Sequence, residues 1–307
     1  MTGLDEARKF YEDCGRAMLH DRFPDYEGRI AVGLAGHGSQ CFGYDDALSR
    51  DHDFAPGFCL WLTDADDARI GAALAQAYRA LPAPDPAARS VQGENTSGVR
   101  RTLFFYSRYT GSEGLPEGNL HWLSIPSWAL AEATNGAVFR DDLGEFTRMR
   151  EVLLHGMPED VRLKKLAARC ASMAQSGQYN YTRCLAHGEE GAAMLAAAEF
   201  VSSAADAAYL LNRRHKPYYK WALRSMETLP VLGALRDALT FLLTGDNDAA
   251  GQKTKAGVIE DVSAAVIGEL KNQKLTDGAW DYLEPHAYEI QARIGDPALR
   301  AMPIMEG

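Results

Sequence analysis

The sequence predicts an α+β fold: a mixed sheet with helices in the first part of the chain, followed by an all-α C-terminal helical bundle. Three observations predict it. Short apolar runs bounded by glycine or proline alternate with amphipathic segments before residue 126. Beyond that point apolar residues recur at helical spacing, and alanine-rich stretches dominate. At 307 residues, 46 % of them hydrophobic and 24 % charged, the chain has enough apolar material for one large or two medium globular domains. The expected division is an α/β domain over 1–125 and a helical bundle over 126–307.

The elements follow in order. "GLDEARKFYEDCGRAMLHD" spaces Leu4, Phe10, Tyr11 and Met18 among polar residues, an amphipathic helix. "GRIAVGLAG" suits a buried strand, and "DFAPGFCLWLT" a second one, broken near Pro56 and Gly57. "DADDARIGAALAQAYRAL" reads as a helix capped by Asp64 or Asp66. "PAPDPAARSVQGENTSG" has loop composition, and "VRRTLFFYSRY", rich in aromatic and β-branched residues, reads as a third strand. In the second half, "VRLKKLAARCASMAQ" is helical, with Gly177 as its stop. "GAAMLAAAEFVSSAADAAYLLNRR" is apolar over much of its surface, which predicts burial. "TLPVLGALRDALTFLLTGD", "AGVIEDVSAAVIGELKNQK" and "DGAWDYLEPHAYEIQARIGD" complete the bundle. In the second of these, Ile259, Val262, Val266 and Leu270 form one stripe.

Composition excludes several function classes. The formal net charge of −10 disfavours a polyanionic partner, so nucleic acid is not expected. Five cysteines, with no CxxC pair, argue against a zinc site or a disulfide framework and for reduced thiols in a cytoplasmic protein. The N-terminus lacks the layout of a secretory signal, and no run reaches the roughly eighteen consecutive apolar residues of a membrane span, so no membrane partner is expected. GxSxG, HExxH and GxxxxGK[ST] are all absent, which removes the local signals of serine hydrolases, zincins and P-loop enzymes.

The chemistry concentrates in "GHGSQCFGYDDALSRDHDF", residues 36 to 54. Gly38 and Ser39 follow the first strand, where glycine lets the backbone approach a ligand and successive N–H groups form an anion nest. Further on, Asp51 and Asp53 alternate along an extended segment and would project the same way, with His52 behind them. Two carboxylates that close repel unless a cation lies between them, and magnesium is the natural one: it takes oxygen ligands and keeps positions open for phosphate. A phosphate cradle and a metal pair on one sheet edge are what nucleotidyl transfer requires. His37 and His52 are expected to be packed or hydrogen-bonded rather than to bind a metal.

A glycine-serine turn followed by Asp-x-Asp resembles the signature of the polymerase-β-like nucleotidyltransferase superfamily. "GSQCFGYDDALSRDHDFAPGFCLWL", "NGAVFRDDLGEFTRMREVL", "PEDVRLKKLAARCASMAQSGQYNYTRC" and "LLNRRHKPYYKW" also resemble motifs of the family known as domain of unknown function 4037. The resemblance covers roughly residues 28 to 225. It implies a nucleotidyltransferase fold followed by a helical bundle, a layout similar to that of kanamycin nucleotidyltransferase. It also implies that Gly38 and Ser39 hold the triphosphate and that Asp51 and Asp53 bind the metal. Arg50, beside the dyad, contacts phosphate or faces solvent. Arg183 and Lys220, each among aromatics, reach the triphosphate or else sit in ion pairs while the aromatics pack the bundle.

The superfamily pattern expects a third acid on a later strand, and neither "VRRTLFFYS" nor "NLHWLSI" contains one. Asp141, Asp142, Glu145, Glu189 and Glu190 are the alternatives in the helical half. The function expected is a magnesium-dependent nucleotidyltransferase that moves a nucleoside monophosphate from a nucleoside triphosphate, ATP being the expected donor, to a hydroxyl of a small-molecule acceptor. The alternatives are a nucleotide-binding regulatory protein without turnover, and a transferase acting on protein or tRNA.

Overall fold

The computed structural model describes residues 2–46, 57–82 and 97–307. Arg50, Asp51, His52 and Asp53 lie outside the described residues. The chain divides into two compact units: residues 1–116 with 129–156, and residues 117–128 with 157–307.

The first unit is built on a mixed four-stranded sheet: β1 (Ala31–Leu34), β2 (Cys59–Leu62), β3 (Gly98–Arg101) and β4 (Ala137–Arg140), in the order β3-β2-β1-β4. The central strand β1 runs antiparallel to both neighbours, and β2 and β3 are parallel. All eight residues of β1 and β2 are buried, because helices and aromatic side chains cover the sheet. Leu19, Ile30, Val32, Phe58, Leu60 and Leu74 form one cluster of the core. Trp61, 1 % exposed, stacks on Phe146 at 3.9 Å between ring centroids and meets Phe105 edge-on at 5.5 Å.

Several expectations change here. The third strand ends at Arg101, and Thr102–Thr110 is a helix. Thr102, Phe105, Tyr106 and Tyr109 are its buried face, a spacing of three, four and seven residues that fits a helix. Aromatic content raised the strand propensity, but burial of that face decided the outcome. Residues 129–156, read from the sequence with the helical half, supply β4, whose Ala137 pairs with Leu34. The cap of the Asp64–Arg79 helix is Thr63, whose hydroxyl accepts from the Asp66 amide; the Asp66 side chain is buried and receives Arg29 Nε at 3.0 Å.

The second unit is helical. Its centre is the Glu159–Met173 helix, packed against Glu190–Leu211 and Leu283–Ala292. Gly177 does not stop the first of these helices. The chain continues through a π-helical stretch, Ala174–Tyr181, into Thr182–Ala186. A Cβ on Gly177 would lie 2.2 Å from Phe200, so the glycine serves close packing. The alanine-rich Glu190–Leu211 helix is apolar and long enough to cross a membrane by composition, and 61 % of its most apolar window is buried within the protein. Ile259, Val262, Val266 and Leu270 are all buried on the Ala249–Asn272 helix, as their spacing predicts. All five cysteines are free thiols, and burial pushes that of Cys59 up to about 12.

Candidate functional site

The Gly-Ser turn leaves β1 at its C-terminal end. Gly36 is fixed there by Asn135, whose amide oxygen accepts from the Gly36 N–H at 2.8 Å while its amide nitrogen donates to the Gly36 carbonyl at 2.7 Å. Gly38 follows with φ 108° and ψ 154°, a conformation open to glycine and strained for other residues, and a Cβ there would meet nothing within 4 Å. Ser39 then starts a single helical turn, Ser39–Phe42, whose N-cap is Gly38 and which therefore has no side-chain cap. The N–H groups of Gly38, Ser39 and Gln40 have no acceptor among the described residues. Gly38 and Ser39 are half-buried, so the turn presents donors that the described residues leave unsatisfied to a partly desolvated surface.

The sheet brings other segments to this end. Because β2 is antiparallel to β1 and pairs Cys59 with Gly33, the chain enters β2 beside the exit of β1. Asp51 and Asp53 precede that entry in sequence. Across β1, the Ser127–Thr134 helix ends at Asn135 and Gly136 and feeds β4, and the Gly136 N–H donates to Cys41 O at 2.8 Å. Glu132 lies in the last turn of that helix, three residues before Asn135 and so on the same face. It is 5 % exposed, and its Oε1 lies 3.2 Å from His37 Nδ1. Its charge adds to the burial that raises the pKa values of the Tyr109 phenol and the Cys41 thiol, while Arg100 on β3 pulls Tyr109 and Cys59 the other way.

Glu132 and Arg100 were not singled out as site residues from the sequence. Glu132 sits in "SWALAEATNG" with no spacing motif; the only signal is one acid on an apolar helix just ahead of an Asn-Gly turn. Of the acids named instead from the sequence, Asp141 and Asp142 have other partners, and Glu145 begins the Glu145–His155 helix. Asp141 accepts from the amides of Gly144 at 2.9 Å and Thr147 at 2.7 Å, which anchors the start of the Glu145–His155 helix. Asp142 pairs with Arg140, which also holds Glu27. Glu189 and Glu190 open the Glu190–Leu211 helix of the second unit.

Arg183 and Lys220 also belong to the second unit and are exposed. The Arg183 guanidinium lies 5.5 Å from the Tyr179 ring centroid, and Lys220 Nζ lies 5.0 Å from that of Trp221. Among the described residues, no group of three or more His, Cys, Asp and Glu side chains is placed to hold a metal. Magnesium needs oxygen ligands, and here the turn supplies backbone donors while the neighbouring Ser127–Thr134 helix supplies the Glu132 carboxylate. The metal ligands expected from the sequence remain Asp51 and Asp53.

The family model for a domain of unknown function (DUF4037) matches residues 122–222. No curated protein matches the chain. A crystal structure of a nucleotidyltransferase-like protein from Exiguobacterium sibiricum 255-15 is similar at 11 % identity and a TM-score of 0.39, over 92 % of this chain and 81 % of that one.

Proposed function

We propose that the chain is a magnesium-dependent nucleotidyltransferase that moves a nucleoside monophosphate, AMP in the expected case, from a nucleoside triphosphate to a hydroxyl of a small-molecule acceptor. The observation that carries this reading is the Gly38–Gln40 turn at the end of β1, with three amide donors lacking acceptors among the described residues and the buried Glu132 carboxylate on the neighbouring helix. Phosphate oxygens are the acceptors that suit such donors. Asp51 and Asp53 would hold magnesium, which when bound neutralises charge on the phosphoryl oxygens. The acceptor hydroxyl oxygen bonds to the α-phosphorus, the bond from that phosphorus to pyrophosphate breaks, and the hydroxyl proton passes to the Glu132 carboxylate. His37 orients that carboxylate, and Arg50, beside the dyad in sequence, adds positive charge for the phosphates.

The test is incorporation of label from [α-32P]ATP into a panel of hydroxyl compounds, with pyrophosphate release measured in parallel. Asp51→Asn combined with Asp53→Asn abolishes both signals, and Glu132→Gln lowers kcat by about 10²- to 10⁴-fold while ATP still binds. Unchanged labelling in the double aspartate variant would end this reading. A second reading, a nucleotide-binding regulatory protein, is favoured by β3 and β4, which carry no acid. Calorimetric ATP binding without pyrophosphate release across the panel selects it.

A further inference from the structure

A separate cavity of about 360 Å³ lies wholly within the second unit, inside the range of about 300 to 1,000 Å³ typical of small-molecule sites. Three cationic side chains line it, Lys165, Arg169 and Lys216, against one acid, Asp206. Asp206 receives Lys216 Nζ at 2.9 Å and has Arg169 Nη1 at 3.9 Å. That leaves Lys165. Its Nζ donates one hydrogen bond, to Ile125 O at 2.9 Å, and has no other acceptor among the described residues. Burial, with the like charge of Arg169 added, holds this amine down at about 8 against the opposing pull of Asp206, which Lys216 and Arg169 share.

The rest of the wall is mainly apolar and aromatic: Trp128, Met157, Leu210, Pro217, Tyr218 and Tyr219. Three of these are large aromatics left in contact with solvent, Trp128 at 43 %, Tyr218 at 44 % and Tyr219 at 76 % exposure. Their placement is fixed by the backbone. The Lys216 N–H donates to Ser127 Oγ at 2.7 Å, which ties the segment carrying the two tyrosines to the segment carrying Trp128. Arg169 is also held, by a 2.6 Å bond to Gly307 O.

We infer that this cavity is a binding site for a small aromatic anion, a carboxylate or a phosphate ester, with the anion on Lys165 and Arg169 and the ring against Trp128, Tyr218 and Tyr219. A ring fills an apolar wall at low entropic cost and an anion supplies the charge that Lys165 lacks; neither half alone matches the lining. The site is independent of the Gly38–Gln40 turn, so it stands whether or not the chain transfers nucleotides.

Isothermal titration calorimetry on the full chain tests it, with phenyl phosphate, benzoate, inorganic phosphate and phenol as probes. The expected result is one site for phenyl phosphate or benzoate, at least about tenfold tighter than for phosphate or phenol. The tighter of the two aromatic probes identifies the anion. Near pH 8, where part of Lys165 is uncharged, binding takes up protons, read from buffers of different ionisation enthalpy. Lys165→Met abolishes that uptake and weakens binding at least about tenfold. Tyr219→Ala, at an exposed position whose loss leaves the fold intact, weakens binding as well and carries the test if Lys165→Met does not fold. The inference is overturned if no aromatic anion binds, if phenol binds as tightly as the anions, if no proton is taken up, or if Tyr219→Ala leaves the affinity unchanged.

Discussion

The two units carry their polar groups differently. In the first, the donors at the candidate site are main-chain amides, freed where β1 stops and the chain turns through Gly38. In the second, long helices satisfy their own backbones, and the interior polarity comes from side chains. Lys164, fully buried, donates to Pro303 O at 2.7 Å and Gln291 Oε1 at 3.0 Å. Lys255, also fully buried, has Met194 Sδ at 3.9 Å as its nearest partner. A sheet end offers a fixed row of small dipoles suited to several phosphate oxygens at once. A helical bundle offers single charges at chosen points, suited to a ligand with one anionic group.

That contrast breaks first at Trp61. Trp61→Ala removes the ring stacked on Phe146 beneath the sheet and costs about 3 to 5 kcal/mol. Hydrogen exchange then shows protection lost in peptides of β1, β2 and β4, while peptides of the Glu190–Leu211 helix keep theirs. Trp61→Phe costs less than the alanine change, because it keeps an aromatic ring against Phe146; the indole N–H, buried without a partner, is lost in both variants. Equal losses for the two variants would show that stacking on Phe146 contributes nothing.

Gly177→Ala perturbs the other unit by about 1 to 3 kcal/mol, since its methyl would meet Phe200. Here the exchange pattern reverses: protection falls over 174–181 and 190–211 and is kept in the sheet. Loss of sheet protection in this variant would refute the separation of the two cores.

The smallest effect is acid loss at the Thr276–Glu289 contact. The Thr276 hydroxyl, followed by the Asp277 and Gly278 amides, holds the Glu289 carboxyl below its ordinary value of 4.5. The folded state therefore favours the charged form. The stabilisation is complete above pH 4.5 and disappears as pH falls below it. Urea midpoints from pH 7 to 3.5 fall less steeply in Glu289→Gln than in the wild-type chain, and parallel slopes would show that the contact contributes no pH dependence.

Much of this was legible in the sequence, for physical reasons that also mark where legibility stops. β1 and β2 were readable because fully buried strands are short continuous apolar runs, and the stripe on Ala249–Asn272 because one buried helical face repeats at fixed spacing. The Gly38–Ser39 turn was readable because glycine marks backbone that other residues avoid. Thr102–Thr110 misled because its aromatics satisfy strand propensity and helical spacing together, and only packing against Trp61 and Phe146 separates the two. β4 was missed because its four residues are half-buried and carry no clean alternation. Glu132 was missed because its proximity to His37 depends on residues 95 positions apart in sequence. Lys165 was missed because a lysine in an amphipathic helix looks solvated until the Ile125 carbonyl is placed on it.

The outer strands have a consequence for colloidal behaviour. β3 and β4 are the margins of the described sheet, four residues each, and each terminates in arginine: Arg100 and Arg101 on one side, Arg140 on the other. Arg140 is clamped by Glu27 and Asp142, so a fixed charge cluster stands at that margin. Short, charged borders are poor templates for recruiting a strand from another molecule, and they guard the apolar centre of this sheet against edge-to-edge aggregation at high concentration.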